Sequence, residues 1–176
     1  MIETIALVLT GLSITASIVY YTSILRNANM TRELQLKAQE QATLTRQTQI
    51  FMNLYDKFMS KETSRSYMEL RSWQWNDFND YQMKYGWENN PEAFVLRSSM
   101  GTYFEGIGVL VKNDQIPVNL VDDLLSNGIM FYWEKFEPII LEYRTRMNYP
   151  NMGEWAEYLY NQVKPIFLKQ HPEQAS

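Results

Sequence analysis

The chain has no cysteine among its 176 residues. That removes disulfides, thiolate metal sites, iron–sulfur clusters and cysteine nucleophiles together, and it is compatible with a reducing compartment. Histidine is nearly absent as well. The single one, His171, stands beside Pro172 close to the C-terminus, which speaks against histidine metal cages and Ser-His-Asp triads. No Glu-x-x-His pair exists from which helices build di-iron centres. Glycine is scarce, at seven residues, and none sits in a Walker or Rossmann phosphate loop. Gly101 and Gly106 have the separation of the former, but no Lys-Ser/Thr comes after Gly106. Basic charge is also short, and the net charge is −4. From Gln47 onward the balance is −5, which repels phosphate backbones and excludes nucleic acid as a partner.

Charge is missing altogether from one long stretch. Thr4 to Leu25 is a run of twenty-two uncharged residues between Glu3 and Arg26. At about 1.5 Å per residue a helix of that length covers roughly 33 Å, against about 30 Å for a hydrocarbon core. A cleaved signal peptide would need a basic n-region and a small-residue cleavage site. Met1-Ile2-Glu3 has no basic side chain, and the run ends in Tyr20-Tyr21-Thr22-Ser23-Ile24-Leu25. The expectation is therefore an uncleaved transmembrane signal-anchor over residues 1–25, with Tyr20 and Tyr21 at headgroup depth. Arg26, Arg32, Lys37 and Arg46 come after it and give residues 26–46 a balance of +2. By the positive-inside rule this predicts a single-pass cell-membrane protein, N-terminus outside and C-terminal domain cytoplasmic. Ala6, Thr10, Ser13 and Ser17 recur at four-, three- and four-residue spacing beside Gly11. Small hydroxylated residues in that pattern form a candidate partner-helix face in the membrane; the alternative is that the hydroxyls bond within their own helix.

Beyond Leu25 the chain is rich in helix formers. Residues 26–49 hold no proline or glycine and predict a polar helical stalk continuing from the span. Met30, Leu34, Leu36 and Leu44 keep no heptad, so no long coiled coil is expected. Residues 50–170 read as one helical cytoplasmic domain of about five or six helices, followed by a polar tail, 171–176. Phe51, Leu54, Tyr55, Phe58 and Met59 form the first core-facing stripe, and Tyr67, Leu70 and Trp73 a second. The aromatic run from Trp73 to Trp87 predicts a short helix and loop whose rings cap the core. Asn90-Pro91-Glu92 signals a helix start, with an Asn cap and a first-turn proline, and Asn113-Asp114 its end. The glycines at 101, 106 and 108 inside it each cost about 1 kcal/mol relative to alanine. Gly101 and Gly108 share a face, which points to close approach of another helix. A further helix is expected from Asn119 with Val121, Leu124 and Leu125 inward, then a break at Ser126-Asn127-Gly128. Trp133, Phe136, Ile140, Tyr143 and Met147 make the cleanest stripe. Pro138 interrupts it, Glu142 and Arg146 form a surface pair, and a last helix begins near Asn151.

Gly101, Glu105, Gly108, Trp133, Glu134 and Arg144 form the candidate structural or ligand cluster. Glu105 and Glu134 stand among apolar neighbours, and the simplest reading is structural: an ion pair with Arg71, Arg97 or Arg144, or a hydrogen bond at a helix contact. The alternative is a ligand pocket.

Three segments carry a resemblance: Phe104-Glu105-Gly106-Ile107-Gly108-Val109-Leu110-Val111; Val121 to Leu125; and Tyr132-Trp133-Glu134-Lys135-Phe136 with Arg144 downstream. Across Gln47 to Leu159 the chain is similar to an uncharacterised prokaryotic family, known only as a domain of unknown function. The resemblance implies a single N-terminal span, a polar helix and a helical domain, and no activity or catalytic residue.

The expectation is thus an all-α, non-enzymatic protein without a cofactor. Its partners are the lipid bilayer and a protein, either a membrane complex or a second copy. It serves as an interaction or accessory module for a larger assembly; the alternative is a small-ligand sensor or effector near Glu105 and Glu134.

Overall fold

The computed structural model describes residues 1–174; Ala175 and Ser176 of the polar tail lie outside the described residues. Among the described residues the structure is all-helical, with six α-helices, one terminal 3-10 turn and no strand. Two compact units divide the chain, residues 1–46 and 47–176.

The first unit is entirely helical after Met1, and every one of its residues is exposed. It belongs to α1, Ile2–Phe58, one uninterrupted helix that includes the apolar run, the polar stalk and the first core stripe. No glycine or proline between Leu12 and Phe58 breaks the backbone ladder, so the change of pattern at Ile50 is a change of environment within one helix. Thr10, Ser13 and Ser17 donate to the carbonyls of Ala6, Thr10 and Ser13 at 2.8–2.9 Å.

The second unit holds the core. The C-terminal end of α1 enters it through Phe51, which is fully buried, while Met59 is exposed rather than core-facing. The helices α2 (Lys61–Ser72) and α3 (Phe78–Tyr85) come next. Ser60 and Asp77 cap them by accepting from the N–H groups of Thr63 and Asp80. The rings around α3 fill one end of the core. Trp73 stacks on Tyr85 with centroids 4.1 Å apart, Trp75 stacks on Phe136, and Tyr81 is fully buried. Trp87 is exposed.

α4 (Pro91–Lys112) starts where the Asn-Pro-Glu signal places it, with Asn90 Oδ1 accepting from Ala93 N at 3.1 Å. α5 (Val118–Arg146) runs straight through Ser126-Asn127-Gly128, correcting the expected break. Gly128 is not a terminator but a contact point: a Cβ there would stand 3.0 Å from Phe58 Cζ and 3.6 Å from Phe104 Cζ. Two inward assignments on α5 also fail, since Leu124 and Met147 are exposed. Asp122 is buried in their place. α6 (Glu154–Gln170) begins three residues later than Asn151. Gly153 holds a left-handed φ of 72° that delays the helix and costs a residue without Cβ nothing. α6 packs against both α4 and α5. Its Leu159 and Val163 are fully buried, as are Ile107 of α4 and Val121 of α5.

Candidate functional site

One face of α4 organises the site. Arg97, Gly101 and Glu105 are spaced four and four, so they stack along one side of the helix. Tyr132 and Ile140 of α5 oppose them, eight apart and again on one face. Met152, Gly153 and Ala156 at the start of α6 complete the enclosure. Between these elements lies a cavity of about 130 Å³, which Ser98 and Thr102 also line. Gly101 is required here, because a Cβ would collide with the Tyr132 hydroxyl. That hydroxyl donates to the Arg97 carbonyl at 3.5 Å.

Arg97 is the unusual member. It is 3 % exposed, its guanidinium carbon lies 5.7 Å and 5.6 Å from the ring centroids of Phe94 and Tyr143, and its Nε has no hydrogen-bond partner. None of the ion pairs among the described residues includes it. The ring faces offset part of the desolvation of the charge. Nothing among the described residues neutralises it.

Glu105 stands at the other end of the α4 face, half-buried. Among the described residues it forms no ion pair with an arginine; of the two structural readings, the hydrogen bond at a helix contact is the one it makes. Its Oε1 accepts from the backbone N–H of Ala156 at 3.3 Å, so a carboxylate from α4 serves the first turn of α6. The reason is local: α6 is preceded by Gly153, which has no side chain to cap it. Burial pushes the Glu105 pKa up, opposed by the N–H groups of Ala156 and Trp155.

The rest of the predicted cluster disperses. Gly108 meets α6 directly, where a Cβ would run into the Trp155 carbonyl. Close helix approach explains Gly101 and Gly108, but Gly106 has open space around it and nothing in the structure explains it. Trp133 is buried core. Glu134 is exposed, not buried; it accepts from the Tyr160 hydroxyl at 3.1 Å, and Lys164 donates to that same hydroxyl oxygen at 2.7 Å. Arg144 turns to Glu157 at 2.7 Å and to the Met152 carbonyl at 2.7 Å, fixing the approach to α6. Only Gly101 and Glu105 of the six line the cavity.

Two residues escape sequence reading. Arg97 is legible in its spacing to Gly101 and Glu105, but only as a partner for a glutamate. Asp122 is 2 % exposed with neither carboxylate oxygen bonded, and its pKa is raised by burial and then by Asp123. No spacing signal distinguishes it from its neighbour.

A second, shallow depression lies over Trp73, Trp75, Lys84 and Lys135. Its amines are committed. Lys135 donates to the Arg71 and Trp73 carbonyls at 2.8 and 2.7 Å, closing the end of α2. Lys84 donates to Asp80 at 2.9 Å. Among the described residues no cluster of three or more carboxylate or imidazole side chains could hold a metal ion.

The model of one protein family, described as a domain of unknown function (DUF4760), matches residues 2–163. The chain belongs to this family. The match reaches beyond the Gln47–Leu159 resemblance and takes in the apolar stretch of α1 and the whole lining of the cavity. No curated protein and no solved structure matches the chain.

Proposed function

We propose that this DUF4760 protein is a membrane-tethered, non-enzymatic accessory module that scaffolds or regulates a larger assembly in a prokaryotic cell membrane. The apolar part of α1 is the single span, residues 1–3 face outward and the helical domain is cytoplasmic. One observation carries the reading. The uncharged stretch Thr4–Leu25 is helical, and none of its side chains is buried by the rest of the chain. A core helix of a soluble protein would be covered; this one is left to an apolar medium or to partner helices. The positive balance of residues 26–46 supports the orientation.

The test is fractionation followed by native extraction. The chain should stay with membranes through an alkaline carbonate wash. External protease should spare the helical domain in intact cells, and mild detergent should release a particle larger than one copy. Release by carbonate would refute the anchor, digestion from outside would reverse the orientation, and a lone monomer in mild detergents would refute the assembly.

A ligand-sensing role is the second reading. The cavity that reaches Glu105 favours it, and among the described residues neither Glu105 nor Glu134 forms an ion pair with an arginine.

A further inference from the structure

We infer that the cavity between α4, α5 and α6 is a binding site for a small monocarboxylate, held by Arg97. The inference deepens the ligand-sensing reading and rests on it.

The argument begins with charge. Removing a guanidinium from water is costly unless the charge is paired. Only 3 % of Arg97 is exposed, yet its Nε has no hydrogen-bond partner and no carboxylate of the described chain pairs with it. Arg144, the comparison within the same domain, is more exposed and has both Glu157 and a carbonyl. A buried cation with an unused donor beside a cavity calls for an anionic guest, and guanidinium geometry suits a planar carboxylate.

Size and lining narrow the class. A cavity of roughly 150 Å³ admits benzene, so this one, at about 130 Å³, admits a guest of about six heavy atoms. Tyr132, Ser98 and Thr102 bring hydroxyls, whereas Ile140, Met152 and Ala156 bring apolar surface to the same space. A charged head with a short apolar tail matches that division. Glu105 lines the same cavity and disfavours a second negative charge, which sets a monocarboxylate above an inorganic dianion. Gly101 keeps the α4 surface bare between the two charged residues.

The test uses the full chain in detergent micelles or nanodiscs at fixed ionic strength, with calorimetric titration of propionate, its neutral isostere propionamide, and inorganic phosphate. Propionate should bind at least about 100-fold more tightly than propionamide, as expected when a buried charge loses its partner, and phosphate should be weaker than propionate. Arg97→Met should lose at least about 100-fold in propionate affinity, while Glu134→Gln, outside the cavity, should leave it unchanged. Equal affinity for propionate and propionamide would overturn the monocarboxylate assignment but leave the ligand-sensing reading standing. Tighter phosphate binding would overturn the ligand class. No heat with any of the three, and no change in melting temperature, would overturn the monocarboxylate site and leave the ligand-sensing reading to other ligands. If Arg97→Met does not fold, the side-chain Nε–H resonance of Arg97 in the unaltered protein decides: it should shift on saturation with propionate, and an unmoved resonance would overturn the assignment.

Discussion

Residues 2–46 and residues 47–174 are built from the same kinds of apolar residue and treat them in opposite ways. In the first region Leu7, Leu12, Ile14 and Ile18 are all more than half exposed; in the second Leu70, Ile107, Val121 and Leu159 are essentially inaccessible. The difference lies in pattern. After residue 47 the apolar positions recur every three or four residues, so each helix has one face for a common core. Before residue 26 they surround the helix, and the rest of the chain buries none of them. Polar groups divide in the same way. Thr10, Ser13 and Ser17 bond to carbonyls of their own helix. By contrast, Tyr103 donates to the Leu54 carbonyl at 2.6 Å, joining α4 to α1. The first region leaves its apolar surface outward and bonds its hydroxyls within one helix; the second buries its apolar surface and adds bonds between helices.

The sharpest way to break this comparison is to put charge into the first region. Arginine in place of leucine at the centre of a span costs about 3 kcal/mol on the insertion scale. The double substitution Leu9→Arg, Leu12→Arg, at about twice that, should move the protein from the membrane to the soluble fraction. All five tryptophans lie after residue 47, and their fluorescence melting curve should be unaltered. Retention of the double variant in carbonate-washed membranes would mean that the apolar run is not what anchors the chain.

Truncation of one large side chain in each region gives the next contrast. Trp133→Ala empties a buried site and should lower the stability of the helical domain by about 3–5 kcal/mol. Leu7→Ala, at a position 79 % exposed, should leave the same melting curve in place. A comparable loss from Leu7→Ala would show that the two regions are energetically one.

Glycines sharpen the comparison inside the second region. Gly108→Ala drives a methyl group into the Trp155 carbonyl and should cost about 1–3 kcal/mol by overpacking. Gly106→Ala, two residues away and facing open space, should gain about 1 kcal/mol from helix propensity alone. Opposite signs in chemical denaturation are the expected result; the same sign would mean that α4 and α6 do not meet at Gly108.

These contrasts also show which features are legible in the sequence. Helix class, the Asn90 start of α4, the aromatic fill around Trp73 and the shared face of Gly101 and Gly108 derive from periodicity, capping chemistry and glycine cost. Each is local. What fails depends on partners remote in sequence. Gly128 looks like a helix end until Phe58 and Phe104 are placed against it. Glu105 and Arg144 look like a pair until Gly153 leaves the first turn of α6 without a cap, which draws Glu105 to Ala156 and Arg144 to Met152 and Glu157. Once both are so engaged Arg97 has no carboxylate, and neither its burial nor its unpaired Nε can be read from spacing.

The smallest effect tests the bond from Glu105 to α6, and it depends on pH. Glu105→Ala removes a side-chain acceptor from the first turn of a helix whose N-cap is glycine and should cost about 1 kcal/mol, as ordinary capping losses do. The pH dependence has a definite sign. Burial raises the carboxyl pKa of Glu105 and Asp122 in the folded state. Between the ordinary and the raised values the folded chain therefore holds more protons than the unfolded one, and stability falls as pH rises through that window. Asp80 is lowered by Lys84 and works in the opposite sense, but only below the ordinary carboxylate range. Melting followed from neutral pH down to the ordinary carboxylate range should thus show these two groups adding stability. Glu105→Gln should flatten part of that rise, and adding Asp122→Asn should flatten more. An unchanged slope in the double variant would mean that neither carboxylate bears a desolvation cost where it sits.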